Sequence, residues 1–172
     1  MSTNQTSRMR GSMPSISTST LMLMIISGSV ATVFFDIWGQ VISPGVLGWA
    51  ALAPQPLAQA TLRVLFDINS KAGGHFMHLF LVGLIGYPLG YLFIFRPIFE
   101  KVLPGLHWFI GAAIYGFGLF VFAIGIMAGP LVAGNPWFLG FSGITWVALI
   151  GHVLYGIVCA WIINMLERKG FG

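Results

Sequence analysis

A few ionisable side chains inside apolar stretches are the residues of this chain best suited to chemistry. Four of them, Asp36, His75, His78 and His152, each lie in a long run of apolar residues. Ionisable groups are costly in apolar surroundings and usually face the interior of a helix bundle, where they pair, relay protons or hold ions. These four residues therefore form one candidate intramembrane polar cluster, and no residue is assigned a catalytic role.

The positions of Asp36 and His78 predict a contact between them. Asp36 lies six residues before the end of the run 21–42, and His78 lies five residues after the start of the run 73–95. If the two runs are antiparallel helices, both residues lie about 8–9 Å below the same membrane boundary. His75 shares a helix face with His78. Pairing is the most economical way to bury Asp36 and His78. The pair could relay protons, bind a metal, or have a structural role in which the two side chains only satisfy each other's hydrogen bonds.

A metal or haem site is an alternative use of the same residues. Zinc takes three or four ligands at about 2 Å, and Asp36, His75 and His78 are the weak candidates for three of them. Haem could be held by histidines on facing helices. His152 lies eleven residues into its run, so it could meet His78 only if the helices shift by about 8 Å. The leading expectation is that no cofactor is bound.

The composition predicts that lipid surrounds most of the chain. Of its 172 residues, 57% are hydrophobic and only 7% are charged, whereas a soluble domain is about 25% charged. The net charge of +4 does not indicate nucleic-acid binding, because the cations are scattered at the ends of segments and form no stripe. The bilayer is thus the predicted partner, and nucleic acid is excluded.

Four apolar runs are long enough to cross a bilayer, at about 21–42, 73–95, 106–129 and 141–165. As a helix, the run 73–95 would be about 34 Å long, against a hydrocarbon core of about 30 Å. The first run extends well past the core of a signal peptide, which favours an uncleaved helix. We predict a flexible cytoplasmic tail over 1–17 and a single integral-membrane domain over 18–172.

The connections between the runs carry their own signals. Prolines Pro44, Pro54 and Pro56 exclude a spanning helix in the first connection, and the residues Arg96, Pro97, Glu100 and Lys101 are interpreted as a compact charged turn. Within the first connection, polar residues recur every four positions at Gln59, Arg63 and Asp67. Residues 57–68 are therefore predicted to form a short amphipathic helix, lying either in the membrane interface or as a solvated cap over the bundle.

Small residues four apart predict close packing of the helices. Hydrophobicity cannot drive helices together in lipid, but small residues allow their backbones to approach. Such pairs are Gly86 with Gly90, Ala112 with Gly116, Gly125 with Gly129, and Gly156 with Ala160. The predicted fold is an all-α membrane protein in which four transmembrane helices form a glycine-rich bundle.

Three segments carry a resemblance to a known group of proteins. The segments ATVFFDIWG from Ala31, GHFMHLFLVGLIGYPLGYLF from Gly74 and GHVLYGIVCAWI from Gly151 resemble small four-helix bacterial inner-membrane proteins of unknown function. The resemblance implies a fold and a location but no catalytic residues. With no catalytic motif visible, the expected function is non-enzymatic, as an accessory subunit of a membrane complex. A small transporter or proton-conducting protein and a haem- or metal-binding protein are the alternatives.

The distribution of Lys and Arg predicts the orientation of the chain. One side of the four-span layout holds six of these residues, namely Arg8, Arg10, Arg96, Lys101, Arg168 and Lys169, and the other holds only Arg63 and Lys71. Because cytoplasmic loops carry the excess of positive charge, both termini should be cytoplasmic. Topology reporters fused after Arg96 and after Gly134 should therefore report opposite sides of the membrane. The same side for both fusions would contradict the layout.

Overall fold

The computed structural model describes residues 14–132 and 134–171, and most of the predicted tail 1–17 lies outside this range. The described residues form helices and loops, with no strand among them. The helices are α1 (Thr18–Val46), α2 (Pro54–Phe66), α3 (Lys71–Val102), α4 (Trp108–Leu131) and α5 (Gly143–Arg168). The four longest, α1, α3, α4 and α5, are long and apolar enough to cross a membrane. The prediction of an all-helical chain with four candidate spans is confirmed at this level.

Helix α1 continues past Pro44, so the predicted end at residue 42 was wrong. The helix widens to i→i+5 turns over Ile37–Val46. In such turns Pro44, which has no N–H, would leave the carbonyl of Gly39 without a donor. The backbone N–H of Leu52 donates to that carbonyl at 2.8 Å. The chain that returns after the helix thus restores the hydrogen bond that proline removes.

The predicted charged turn after residue 95 was also wrong, because the segment is the last part of helix α3. The stretch Arg96–Val102 is α-helical and continues α3 without a break, with Pro97 inside the helix. Arg96 is buried rather than solvated. The sequence pattern indicated a turn because charges and a proline coincide there, but a side-chain ion pair described below makes the buried arginine tolerable.

Helix α2 confirms the prediction of a helix in the first connection. It begins at Pro54, a residue that suits the first turn, and ends where Asp67 takes a left-handed conformation with φ of 57°. Gln59 lies against α3 and donates from Nε2 to Asn69 Oδ1 at 2.7 Å. The apolar side chains of Val64 and Leu65 are half exposed. The location of α2 at a membrane surface stays a prediction.

The long helices pack in the order α3, α1, α5, α4. Helix α1 packs against α3 on one side and α5 on the other, and α5 also packs against α4. The outer two helices, α3 and α4, meet through side chains, as where the Tyr115 hydroxyl donates to the carbonyl of Tyr87 at 2.5 Å. This order leaves space between α3 and α4 over part of their length.

Glycines decide which helices approach closely. At the α4–α5 contact, a Cβ on Gly116 would lie 2.6 Å from the Cα of Val153, and one on Gly156 would lie 2.9 Å from the Cα of Gly116. At the α1–α3 contact, a Cβ on Gly28 would lie 2.8 Å from the Cα of Leu84. Gly116 and Gly156 from the predicted pairs thus serve helix packing, whereas the predicted pair Gly125 and Gly129 faces the loop before α5.

The predicted pair Gly86 and Gly90 in α3 does not serve backbone packing against a neighbouring helix. A Cβ on Gly86 would meet the carbonyl of Leu81 in its own helix, and one on Gly90 would meet the hydroxyl of Tyr115. Gly28, which the sequence pattern did not single out, provides the close contact with α3 instead. The spacing of small residues therefore identified packing helices but not every packing position.

The loop before α5 has an unusual backbone. Phe138, Leu139, Gly140 and Phe141 all have positive φ, between 51° and 66°. Three of these are not glycine, and such residues occupy the left-handed region only when their surroundings hold them there. Part of that support comes from Thr145, whose hydroxyl donates to the carbonyl of Phe138 at 2.6 Å. The conformation packs the ring of Phe138 against Gly125 of α4.

Alanine at Gly116 should destabilise the protein, whereas alanine at Gly118 should not. The new methyl at Gly116 meets backbone atoms of α5, which cannot move aside as a side chain can, and overpacking of this kind costs about 1–3 kcal/mol. Gly118 lies in the same helix with open space at its Cβ position, so alanine there gains only helix propensity. Thermal unfolding of both variants in detergent measures the difference. Equal melting temperatures would contradict the close contact between α4 and α5.

Candidate functional site

A cavity of about 400 Å³ lies between α3 and α4, with α2 across one end. Apolar side chains from all five helices form most of its wall. Its polar lining residues are Thr32, Thr61, His78, Tyr87, His152 and Tyr155. Two of the four residues predicted as a polar cluster, His78 and His152, thus face one internal space.

The predicted contact between Asp36 and His78 is present. His78 Nε2 lies 3.2 Å from Asp36 Oδ1, across the α1–α3 contact. Because a carboxylate only accepts, Nε2 carries the hydrogen in this bond. Gln40, one turn further along α1, donates from Nε2 to the same carboxylate oxygen at 3.0 Å. The side chains of His78 and Asp36 are 13% and 26% exposed, so the pair lies at the edge of the packed interior.

His152 lies closer to His78 than the sequence predicted. Both histidines line the same cavity, and the ring of Phe35 lies 5.0 Å from the ring of His152 and 6.2 Å from that of His78. The predicted depth difference of about 8 Å depended on the helix ends. Helix α3 begins at Lys71 and α5 at Gly143, two residues from each predicted boundary, which removes about 6 Å of that difference.

His75 does not join the cluster. Its side chain is exposed and lies outside the cavity wall. Within residues 14–132 and 134–171, no three His, Cys, Asp or Glu side chains converge in a way that could hold a metal ion. The three-ligand site proposed from Asp36, His75 and His78 is therefore not formed. Haem binding stays a prediction. One ring nitrogen of His78 and one of His152 are already hydrogen-bonded to other residues of the chain.

One ring nitrogen of His152 forms a hydrogen bond, and the other does not. Its Nδ1 lies 2.7 Å from the carbonyl oxygen of Ala148, one turn earlier in α5, and the residue is only 4% exposed. A carbonyl can only accept, so Nδ1 carries the hydrogen. In the neutral ring, Nε2 then presents a lone pair. An acceptor nitrogen is thereby fixed at the cavity wall.

Two tyrosines that the sequence analysis missed, Tyr115 and Tyr155, donate to backbone carbonyls of α3. Pro88 cannot donate to the carbonyls of the preceding turn, and the sequence places the freed carbonyl near Leu84. The hydroxyl of Tyr155 donates to the carbonyl of Gly83 at 2.6 Å, one residue from that position. The proline in an apolar run was the available signal, because an unpaired buried carbonyl requires a donor from a neighbouring helix.

Thr32 contributes a buried hydroxyl to the cavity wall. Its hydroxyl is buried and makes no hydrogen bond with the described residues, although the hydroxyl of Tyr155 lies nearby. Thr32 as a whole is 4% exposed. A buried hydroxyl left without a hydrogen bond costs about 1–3 kcal/mol. A polar ligand group beside Thr32 could therefore form a favourable hydrogen bond in the cavity.

A second polar cluster, far along α3, was also missed. Arg96 Nη1 lies 2.8 Å from Glu167 Oε1, and Arg96 Nη2 lies 3.1 Å from Glu167 Oε2. The two side chains thus form a bidentate ion pair between α3 and α5. Glu100 approaches the same guanidinium at 3.9 Å. The sequence held the signal, because Arg96 and Glu167 carry opposite charges at ends of the second and fourth runs that lie on the same side. This cluster fixes the helices and does not contact the cavity.

Comparisons of the chain with protein-family models, curated proteins and solved structures gave no match.

Replacing Arg96 by methionine should destabilise the fold strongly. Glu167, whose side chain is 15% exposed, would lose its partner, and breaking a buried ion pair from one side costs about 3–5 kcal/mol. The double variant Arg96→Met with Glu167→Met should recover part of that loss, because Glu167 no longer lacks a partner while Glu100 still loses the guanidinium. Unfolding of the single and double variants measures the coupling. The exposed Arg63→Met is the control and should change little. Additive losses would show that the pair does not form.

Proposed function

We propose that the chain is a multi-pass integral membrane protein of the bacterial inner membrane with both termini in the cytoplasm. Large apolar side chains are about half exposed on the outer faces of all four long helices, among them Val33, Ile94, Phe117 and Trp161. Such a surface suits lipid and would associate in water. The excess of Lys and Arg at one side and the resemblance to inner-membrane proteins support the orientation and the location.

Within that membrane, the proposed function is the binding of a lipophilic small molecule between α3 and α4. The observation that carries this proposal is the cavity of about 400 Å³ with a mostly apolar wall, a size within the range of about 300–1,000 Å³ usual for ligand pockets. Two wall residues, Leu65 and Phe122, are also half exposed on the outside of the bundle. A molecule dissolved in the bilayer could therefore enter between α3 and α4 without crossing water.

Proton conduction is the second candidate, and the contact between Asp36 and His78 favours it. A carboxylate that is hydrogen-bonded to an imidazole can exchange a proton with it. The partial exposure of both side chains leaves a route for the proton to solvent. His152 would have to accept the proton next, but the ring of Phe35 lies close to both histidines. Proton uptake by proteoliposomes, compared between the wild type and Asp36→Asn, separates this function from ligand binding.

The role of accessory subunit in a membrane complex stays a proposal beside these two. The small loops and the mostly apolar outer surface are compatible with it, since lipid and partner helices contact similar side chains. Co-purification in mild detergent would identify such partners. A subunit that also binds a lipophilic molecule would satisfy both proposals.

Filling the cavity should abolish ligand binding. Ala123 is buried in the cavity wall on α4, so Ala123→Phe places a ring in the cavity, whereas the matched Ile114→Phe adds a ring on the lipid side of the same helix. The probe is naphthalene, measured by equilibrium dialysis against protein in nanodiscs, with empty nanodiscs as the baseline. We expect saturable binding to the wild type and to Ile114→Phe, and at least a tenfold loss for Ala123→Phe. Absence of saturable binding to the wild type would overturn the proposal.

A further inference from the structure

We infer that the ligand of this cavity belongs to the phenol or quinol class and donates its aromatic hydroxyl to His152 Nε2. The inference rests on the proposed binding of a lipophilic molecule and adds the chemistry by which the cavity would recognise it. Three features of the wall carry it: a fixed acceptor, an unpaired hydroxyl and a set of aromatic rings.

The fixed acceptor is His152 Nε2. The carbonyl of Ala148 holds the hydrogen on Nδ1 of this buried ring. The neutral ring therefore offers a lone pair on Nε2 and no hydrogen. A ligand group that donates, such as a hydroxyl, fits this atom, whereas a ketone or an ether, which only accepts, does not.

The unpaired hydroxyl is that of Thr32, which lines the same cavity from α1. A hydroxyl can donate or accept, so it suits either a second ligand hydroxyl or a carbonyl oxygen. A ring that carries two oxygen substituents could thus engage both His152 and Thr32. This requirement favours a quinol over a plain alcohol.

Aromatic rings surround His152 on several sides. The ring of Phe35 contacts it edge-on at 5.0 Å, and the rings of Tyr87 and Phe120 each lie 6.3 Å away. Aromatic groups prefer such edge-to-face and offset arrangements with one another. A flat aromatic ligand beside His152 would therefore find more favourable contacts than an aliphatic alcohol of the same volume.

The charges near the cavity disfavour an ionised ligand. Among residues 14–132 and 134–171, no Lys, Arg, Asp or Glu lines the cavity, and the lining residue His78 is already bonded to Asp36. An ionised group in the cavity would lose its hydration without gaining a counter-ion. A neutral, weakly acidic hydroxyl satisfies the polar atoms without this cost.

The experiment compares three probes of nearly equal shape: naphthalene, β-naphthol and the methyl ether of β-naphthol. Only β-naphthol can donate a hydrogen bond. Equilibrium dialysis against the wild type in nanodiscs, corrected with empty nanodiscs, should show β-naphthol binding about three- to tenfold tighter than its methyl ether. The variant His152→Leu should lose this preference while it still binds naphthalene within about twofold.

Each outcome tests a different part of the reasoning. Saturable binding of none of the three probes overturns the proposed function and this inference together. Equal binding of all three, or a methyl ether as tight as the naphthol, overturns the inference and leaves the lipophilic cavity standing. If His152→Leu does not fold, the comparison of the naphthol with its ether on the wild type still decides the question. A preference that survives in a folded His152→Leu would overturn the role of His152.

Discussion

Close contact between helix backbones, permitted by glycine, determines where this molecule is packed and where it is open. Gly28 brings α1 against α3, and Gly116 and Gly156 bring α4 against α5. The contact between α3 and α4 has no comparable glycine pair facing a backbone and depends on Tyr115. The cavity lies at this contact. The same rule that holds the bundle together therefore also accounts for its internal space.

The second constraint is that each buried backbone carbonyl needs a donor. Pro44 and Pro88 each remove one N–H from a long helix, and in both places another part of the chain supplies the replacement. Leu52 donates to the carbonyl of Gly39 from the returning backbone, and Tyr155 donates to the carbonyl of Gly83 from a neighbouring helix. In the proposed lipid surroundings, where water cannot reach these groups, such substitutions are what allow prolines inside long helices.

Polar side chains divide into a structural set and a set with unused capacity. Arg96 and Glu167 form two hydrogen bonds that link α3 to α5. At the cavity wall, His78 is bonded to Asp36, which lies outside the lining, but His152 Nε2 and the hydroxyl of Thr32 are left with capacity for a further bond. Buried polar groups are usually satisfied, but Glu100 Oε1 and Asn164 Nδ2 also lack a partner outside the cavity. The proposed function therefore depends on the cavity, and the unsatisfied groups in its wall are those that a ligand there would meet.

The sequence by itself determined the composition of the fold and part of the site. Apolar runs of sufficient length predicted four long helices, the four-residue recurrence of polar residues predicted α2, and equal depth predicted the contact between Asp36 and His78. These predictions succeed because helix rise and period are local properties of the chain. The resemblance implied a location that the geometry does not test.

Only the tertiary structure decided how far the helices extend and which side chains meet. Pro44 and Arg96 looked like helix ends, but each is accommodated by a partner distant in sequence, Leu52 in one case and Glu167 in the other. The shared cavity of His78 and His152 likewise required the observed helix ends and the order of the helices. Hydrogen bonds and ion pairs between distant segments leave no periodic signal in the sequence, because their geometry exists only once the helices have packed.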